Sequence, residues 1–228
     1  MWLDGARYEG EWRYGKAEGK GTFYHANGDI FDGFFKADKA NGHGSYIHKT
    51  GQRYNGQWAD DMQQGVGTET LADGSVYKGD FYGGKKHGRG VYEWIDGTKY
   101  NGEWKNNQID GHGVYLWPDG RKYEGSWRKN KLHNKGIYTW PDGRRYEGHY
   151  EDDKKHGWGI YVWPDGKRYE GFWYNGKQHG QGKFTNTAGK SRVGVWLNGD
   201  RIKWLPNSVN TVENLDPETI ASLYGNEL

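Results

Sequence analysis

Tyr8, Gly10 and Trp12 alternate with Glu9 and Glu11. In an extended segment the two rings and the glycine then share one side, and the carboxylates take the other. A period of two marks a strand with one covered face. Further on, Gly19, Gly21 and Phe23 repeat the alternation and predict a second strand. The pattern returns without insertion every 23 residues, so Tyr8 is succeeded by Phe31, Tyr54, Tyr77, Tyr100, Tyr123, Tyr146 and Tyr169. Three more columns keep the same register. A glycine column runs from Gly10 through Gly33 and Gly56 to Gly194, an aromatic column from Trp12 through Phe35 and Trp58 to Trp196, and a turn column from Gly5 through Gly28 to Gly189. Such a period is that of a tandem array.

Each copy reads as a hairpin. Pairs that tolerate positive φ lie between its strands: Asp60-Asp61, Gly83-Gly84, Asn106-Asn107, Asp152-Asp153 and Asn175-Gly176. Successive copies are joined by turns such as Pro118-Asp119-Gly120 and Pro141-Asp142-Gly143, in which proline presets φ and glycine accepts the closing conformation of the turn. Eight hairpins make sixteen strands, which at ~4.8 Å each would run roughly 75–80 Å. A sheet of that length is expected to twist and to curve into an open trough. Strand-interior glycines mark close approach by another group. The expectation is that each leaves a hole filled by a neighbouring repeat's Tyr or Trp ring.

Composition fits a thin body with an aromatic core. Glycine supplies 39 of 228 residues, and aromatics, at 17%, are half of a hydrophobic fraction of only 33%. A mean hydropathy of −1.16 would suit disorder, but disordered chains are poor in rings, and this one has 13 Trp and 18 Tyr. With no cysteine, disulfides, thiolate catalysis and Cys-based zinc sites are excluded. The balance of 32 basic and 30 acidic residues argues against a nucleic-acid partner. The opening MWLDGARYEGEW is not a secretory leader, and no run approaches the ~20 apolar residues of a membrane span. A cytoplasmic protein is expected, at cytoskeletal or membrane-associated structures.

The segments WPDGRKYEGSWRKNKLHNKGIYTW and WPDGKRYEGFWYNGKQHGQGKF closely resemble the MORN (membrane occupation and recognition nexus) repeat. The resemblance covers residues 2–199 as eight full copies and a degenerate ninth, leaving 200–228 as a C-terminal cap and short helical tail. It implies an all-β fold: an elongated, twisted single-layer antiparallel sheet with a groove. It further implies adaptor or scaffold function, cytoskeletal or membrane association, a place beside an enzyme in some chains, and phosphoinositide binding in some members. Departures from the pattern are Asn134 for the first glycine of a second strand, Glu69 for its aromatic, and Arg192 and Lys203 in the ninth copy. The pattern decays as a capping unit should. No such cap precedes the first copy, which would leave its first strand as an edge open to self-association. In the tail, Asp216-Pro217-Glu218 reads as a helix start, Ile220, Leu223 and Tyr224 lie at helical spacing, and Gly225 is a stop. That helix either packs on the last repeat, lies in the groove or serves a partner.

Catalytic readings find little support. His87, His133, His156 and His179 share a column with Asp110, but equivalent positions stand ~10 Å apart, too far for one metal ion. They read as solvated histidines at strand entry. Glu124, Glu147 and Glu170 each come two residues after a base, namely Lys122, Arg145 and Arg168, which suits charge pairing on one face. No copy carries a unique acid–base set, and neither a nucleophile elbow nor a phosphate loop occurs. No enzyme, metal or cofactor is expected.

Two candidate surfaces remain. Trp94, Trp117, Trp140 and Trp163 form a column richer in indole than one-sheet packing needs, and partly exposed rings mark interaction sites. They are expected to line a groove that takes a helical or extended protein segment. Lys131, Lys154 and Lys177 lie in a row with Lys16, Lys39 and Lys85 after the hairpin turns. This edge is the alternative site, for acidic phospholipid, weakened by the aspartates beside it.

Overall fold

The computed structural model describes residues 1–213 and 217–224, which form two compact units, Met1–Gly111 and His112–Leu228. In the first lie β1 (Arg7–Arg13), β2 (Lys16–Tyr24), β3 (Ile30–Lys36), β4 (Lys39–Ile47), β5 (Arg53–Ala59), β6 (Met62–Thr70), β7 (Val76–Tyr82), β8 (Lys85–Glu93) and β9 (Lys99–Lys105). β10 (Gln108–Leu116) contains the unit boundary. The second holds β11 (Lys122–Arg128), β12 (Lys131–Thr139), β13 (Arg145–Glu151), β14 (Lys154–Val162), β15 (Arg168–Tyr174), β16 (Lys177–Thr185), β17 (Ser191–Leu197), β18 (Asp200–Trp204) and α1 (Pro217–Tyr224). From β1 to β9, and again from β11 to β18, every strand pairs antiparallel with the next in sequence. Each unit is therefore an open all-β meander. The degenerate ninth copy also closes as a hairpin, β17–β18, so the strands number eighteen instead of the sixteen expected.

The turns have the chemistry read from the sequence. Asp60 and Asp61 have φ of 48° and 66°, and Asn106 and Asn107 of 51° and 68°, the two positive values of a type I′ hairpin. The second turn residue also ties adjacent copies together. Asp38 Oδ1 accepts from Ala17 N–H and Asp61 Oδ1 from Ala40 N–H, both at 2.7 Å, and Asp153 Oδ1 accepts from Leu132 N–H at 2.8 Å.

The hairpins from β1–β2 to β7–β8 and from β11–β12 to β17–β18 also carry a bulge. Gly148 pairs with Gly159 and Tyr150 with Lys155, so the second strand holds two extra residues. Gly157 absorbs the kink at φ 62°, and Gly88 does the same at 65°. Asn134 stands at this position in its copy with φ 57°. Its departure from glycine is thus the one that left-handed backbone best tolerates.

One face of each meander carries most of the large rings; Phe34 in the first unit and the Trp158–Phe172 pair in the second lie on the other. Tyr146 lies over its own glycine pair: a Cβ built on Gly148 would stand 2.6 Å from the Tyr146 hydroxyl, and one on Gly159 would fall within the ring itself. The same holds for Tyr8 over Gly10 and Gly21, and for Tyr77 over Gly79 and Gly90. The ring on each glycine pair is therefore the repeat's own tyrosine, not a neighbour's as expected from sequence. A tyrosine two residues before a strand glycine can fold back along its own strand, which makes the nearer ring the one that fits.

Neighbours meet ring to ring instead. Tyr8–Phe35, Phe31–Trp58, Tyr54–Phe81 and Tyr77–Trp104 in the first unit, and Tyr123–Tyr150, Tyr146–Trp173 and Tyr169–Trp196 in the second, pack edge to face at 4.9–5.5 Å. Such pairs add ~0.5–1.5 kcal/mol each beyond area burial. Tyr77, Tyr100, Tyr123, Tyr146 and Tyr169 become fully buried without a second layer. Trp12, with no tyrosine on its outer side, is 53% exposed.

Polar atoms of the rings are satisfied as well. Tyr146 Oη donates to the His149 carbonyl at 2.9 Å and Tyr123 Oη to that of Ser126 at 2.9 Å, both within the bulged segment. Trp58 Nε1 donates to the Gly44 carbonyl of the preceding repeat at 3.0 Å.

On the opposite face the glycine–ring parity is reversed, and Val193 and Val195 point there from β17. Leu205 and the α1 residue Ile220 pack on them, with Leu197, Ile202, Val209 and Val212 around. The tail thus packs on the last repeat, on the face away from the rings. Asp216 and Gly225, read as helix start and stop, lie outside the described residues. Arg192 and Lys203 fit this ending: the Arg192 and Arg201 guanidiniums flank the Trp204 ring at 5.3 and 4.2 Å, and the Lys203 carbonyl lies where a side chain at Gly194 would go.

Two substitutions test this core. Gly148→Val should lower stability by ~1–3 kcal/mol in denaturant unfolding, because the added methyls meet the Gly159 backbone and Tyr146. An unchanged midpoint would refute the ring-on-glycine seat. Asn134→Val should cost about 1–2 kcal/mol through its left-handed φ, while Asn134→Gly should be neutral or better.

Candidate binding face

Outside the buried tyrosines, the ring face carries a second tier. β8, β10, β12 and β14 each carry a tyrosine near the strand end, and the inter-repeat turn starts with a tryptophan two residues later. Trp117 N–H donates to the Arg121 carbonyl at 2.9 Å and its own carbonyl accepts from Gly120 N–H at 3.0 Å. That turn fixes the backbone from which the indole extends. In the second unit the rings run as Tyr115–Trp117 at 4.5 Å, Trp117–Tyr138 at 5.2 Å, Tyr138–Trp140 at 4.3 Å, Trp140–Tyr161 at 6.0 Å, Tyr161–Trp163 at 4.7 Å and Trp163–Phe184 at 6.0 Å. Trp117, Trp140 and Trp163 are each half-buried and form one ribbon. Trp94, in the first unit, is also half-buried and packs on Tyr92 at 4.3 Å. Among the described residues no element lies over these rings; the helix packs on the other face.

Two arginines lie over the ribbon. The Arg121 guanidinium stands 5.1 Å over Trp117 and that of Arg144 5.1 Å over Trp140, each also bonded to the aspartate of its own turn, Asp119 or Asp142. Burial pushes the Tyr138 hydroxyl up from its ordinary value, so it remains a protonated donor.

Two departures from the repeat pattern meet in the first unit. Glu69, in place of an aromatic, and Lys86, at a position held elsewhere by Ala17, Ile109 and Leu132, form an ion pair at 2.5 Å. Both side chains are nearly buried, at 12% and 14% exposure. Gln52 Nε2 donates to the other carboxylate oxygen at 3.0 Å. In the second unit Lys155 occupies the position of Lys86, among four rings. Burial first, and the Arg144 charge second, lower its pKa to about 8. Sequence reading missed both lysines. The available signal was a charge in a column otherwise uncharged, filled by Ala17, Ala40, Gln63, Ile109, Leu132 and Gln178.

The other candidates spread out. Lys131, Lys154 and Lys177 are exposed at strand starts, and Lys131 lies 3.9 Å from Asp152, which also pairs with Arg128. The histidines are less solvated than expected. His87, His133 and His156 are half-buried and His179 is buried; Nδ1 of His87 and His133 is buried without a hydrogen bond, that of His133 3.9 Å from Asp152. Three of the rings lie on tyrosines of an adjoining strand, His87 on Tyr82 at 5.9 Å and His156 and His179 on Tyr174 at 5.3 and 5.5 Å. Among the described residues no three His, Asp or Glu side chains gather as a metal site. The carboxylate column pairs along its own strands rather than across them: Lys122–Glu124 at 2.8 Å, Arg145–Glu147 at 2.6 Å and Arg168–Glu170 at 2.8 Å. Behind the sheet, Ile137, Ile160 and Trp158 line a depression of about 420 Å³ with Glu124, Lys135 and His149.

Removing Lys86 alone would leave the Glu69 carboxylate nearly buried, so Lys86→Leu should cost roughly 3 kcal/mol. Glu69→Tyr added to it restores the regular column and should recover most of that loss in chemical unfolding. Additive losses would show that the two residues do not act as a pair.

The MORN repeat model matches eight times, over residues 8–30, 31–53, 54–76, 77–99, 100–120, 123–144, 146–168 and 169–190. No curated protein sequence matches the chain. Among solved structures, the TCP10 domain of Danio rerio CPAP is 13% identical, with 90% of this chain and 96% of that one covered at a TM-score of 0.46. The TCP domain of Drosophila melanogaster SAS-4, in complex with a proline-rich motif of Ana2, is 11% identical, with 68% and 84% covered at 0.42. Likeness at this level carries neither a partner nor a site across.

Proposed function

The chain belongs to the MORN repeat family, and we propose that it is a non-catalytic adaptor whose aromatic ribbon binds a segment of a protein partner. The observation that carries this reading is the uncovered run from Tyr115 to Phe184, in which Trp117, Trp140 and Trp163 remain half-buried beside fully buried tyrosines. Packing of the core is already complete in the inner tier, so the outer indoles have area left to give to a ligand. Indole and phenol rings, rigid and amphipathic, are favoured interface anchors. Arginines lying over two of the indoles suit a segment that brings carboxylates along with its apolar residues.

Equivalent positions recur two strands apart, so Trp117 to Trp163 spans about 19 Å. A helix of ~13 residues, or some six extended residues, covers that distance. Each repeat offers only one or two side chains, so binding energy is shared over consecutive copies. The lysine edge is the weaker surface for acidic lipid, because Lys131 shares its place with Asp152 and Arg128, and Lys39 stands 3.8 Å from Asp60. An edge of both signs attracts an anionic surface little.

Selection of random twelve-residue peptides on the immobilised chain, with calorimetry of the recovered peptides, tests the reading. Trp117→Ala with Trp140→Ala, shown folded by circular dichroism, should weaken them by well over ~1 kcal/mol. Peptides that bind the folded double variant as tightly as the parent would move the partner surface to the Ile137–Trp158–Ile160 face or to the C-terminal helix.

A further inference from the structure

Lys86 and Lys155 hold the same position in two copies, each opposite a core ring of the preceding strand: Lys86 pairs with Phe81 and Lys155 with Tyr150. In the first unit the chain neutralises this cation itself. Lys86 Nζ lies against Glu69, with the Tyr77 and Tyr92 rings at 5.3 and 5.8 Å. In the second unit Tyr138 stands at the place of Glu69, and the carboxylate is gone.

Lys155 Nζ instead faces Tyr161 at 4.4 Å, Trp173 at 4.7 Å, Tyr146 at 5.0 Å and Trp140 at 5.6 Å. Among the described residues no carboxylate lies within ion-pair distance of it. The charged group nearest in influence is another cation, Arg144. Ring faces compensate a desolvated ammonium only in part, and a buried charge calls for a counter-ion and hydrogen bonds. The nitrogen is not sealed off: the buried side-chain polar atoms without partners are His87 Nδ1, His133 Nδ1 and His179 Nε2. Copies that carry Ile109 and Leu132 at this position show that an apolar residue fits there. The lysine is therefore not required by the fold.

We propose that Lys155 is the anchor for an acidic side chain, Asp or Glu, within an otherwise apolar partner segment lying along the Trp140–Trp163 ribbon. This rests on the ribbon's being the partner surface and adds the partner's chemistry. The carboxylate supplies what Glu69 supplies to Lys86, and Arg144 over Trp140 adds attraction from the same side. Rings surround the ammonium on four sides, so the residues flanking the acid must be apolar. The ribbon continues past Lys155 in both directions, through Tyr138 and through Trp163, which favours an acid inside a segment over a chain-terminal carboxylate.

The same selected twelve-residue peptides supply the test. An Asp or Glu should recur among them between apolar residues. Replacing it by Asn or Gln should weaken binding to the parent chain at least about tenfold, the usual worth of a hydrogen bond to a charged group. Against Lys155→Met the acid and amide forms should bind alike. Thermal unfolding of Lys155→Met should be unchanged or higher, so the loss is not one of folding. Peptides that depend on Trp117 and Trp140 but not on an acid, or whose acid keeps its advantage against Lys155→Met, would overturn the Lys155 assignment and leave the ribbon standing. A library with no binder, or binders indifferent to the two tryptophans, would overturn both.

Discussion

A tyrosine ring laid over its own pair of glycines is the contact on which the rest of this protein depends. A sheet with one layer has no opposing sheet to bury its rings. Here the side chain folds back along its own strand into space that two absent Cβ atoms leave open, so the core forms within the face itself. Tyr146 over Gly148 and Gly159 shows the geometry. Once seated, each ring offers edges to the aromatic residue of its own strand and to that of the next repeat. Tyr146 thus meets Tyr150 at 5.2 Å and Trp173 at 5.3 Å. Repeats interlock through this alternation, and stability comes from nearest neighbours, as in other tandem arrays.

The backbone is shaped to admit the ring. A bulge in the second strand, two residues long in copies such as β13–β14 and one in β17–β18, frees polar groups, and local side chains take them up. The Tyr hydroxyl donates to the carbonyl three residues on, and Glu11, Gln57 or Asp80 accepts from a freed amide of the bulge. Ring, bulge and glycine pair are one device. This explains why positive φ recurs at this position in the eight regular copies, and why the exception to glycine is asparagine.

With the inner tier closed, the outer tier is free to vary. Glu69 with Lys86, Arg192 with Trp204, and Lys155 among its rings all occur where the regular column is broken. Two of the three are resolved within the chain. The third leaves a cation among rings, with no carboxylate of the described residues within ion-pair distance.

Much of this was written in the sequence. Period, strand alternation, hairpin turns and the glycine columns are local, and a residue's φ preference or side in a strand does not depend on distant contacts. Trp94, Trp117, Trp140 and Trp163 could be singled out because their column exceeds what one sheet needs. Other features waited for the tertiary structure. A column of glycines shows that a ring belongs there but not whose, since Tyr146 and its counterparts in adjacent copies recur at the same spacing. Tyr82 and Tyr174 lie against His87, His156 and His179, a choice of rotamer and not of pattern. Lys86 and Lys155 read alike in the sequence. Only the packing of the preceding repeat, with Glu69 in one case and Tyr138 in the other, decides that one charge is met within the chain and the other is not.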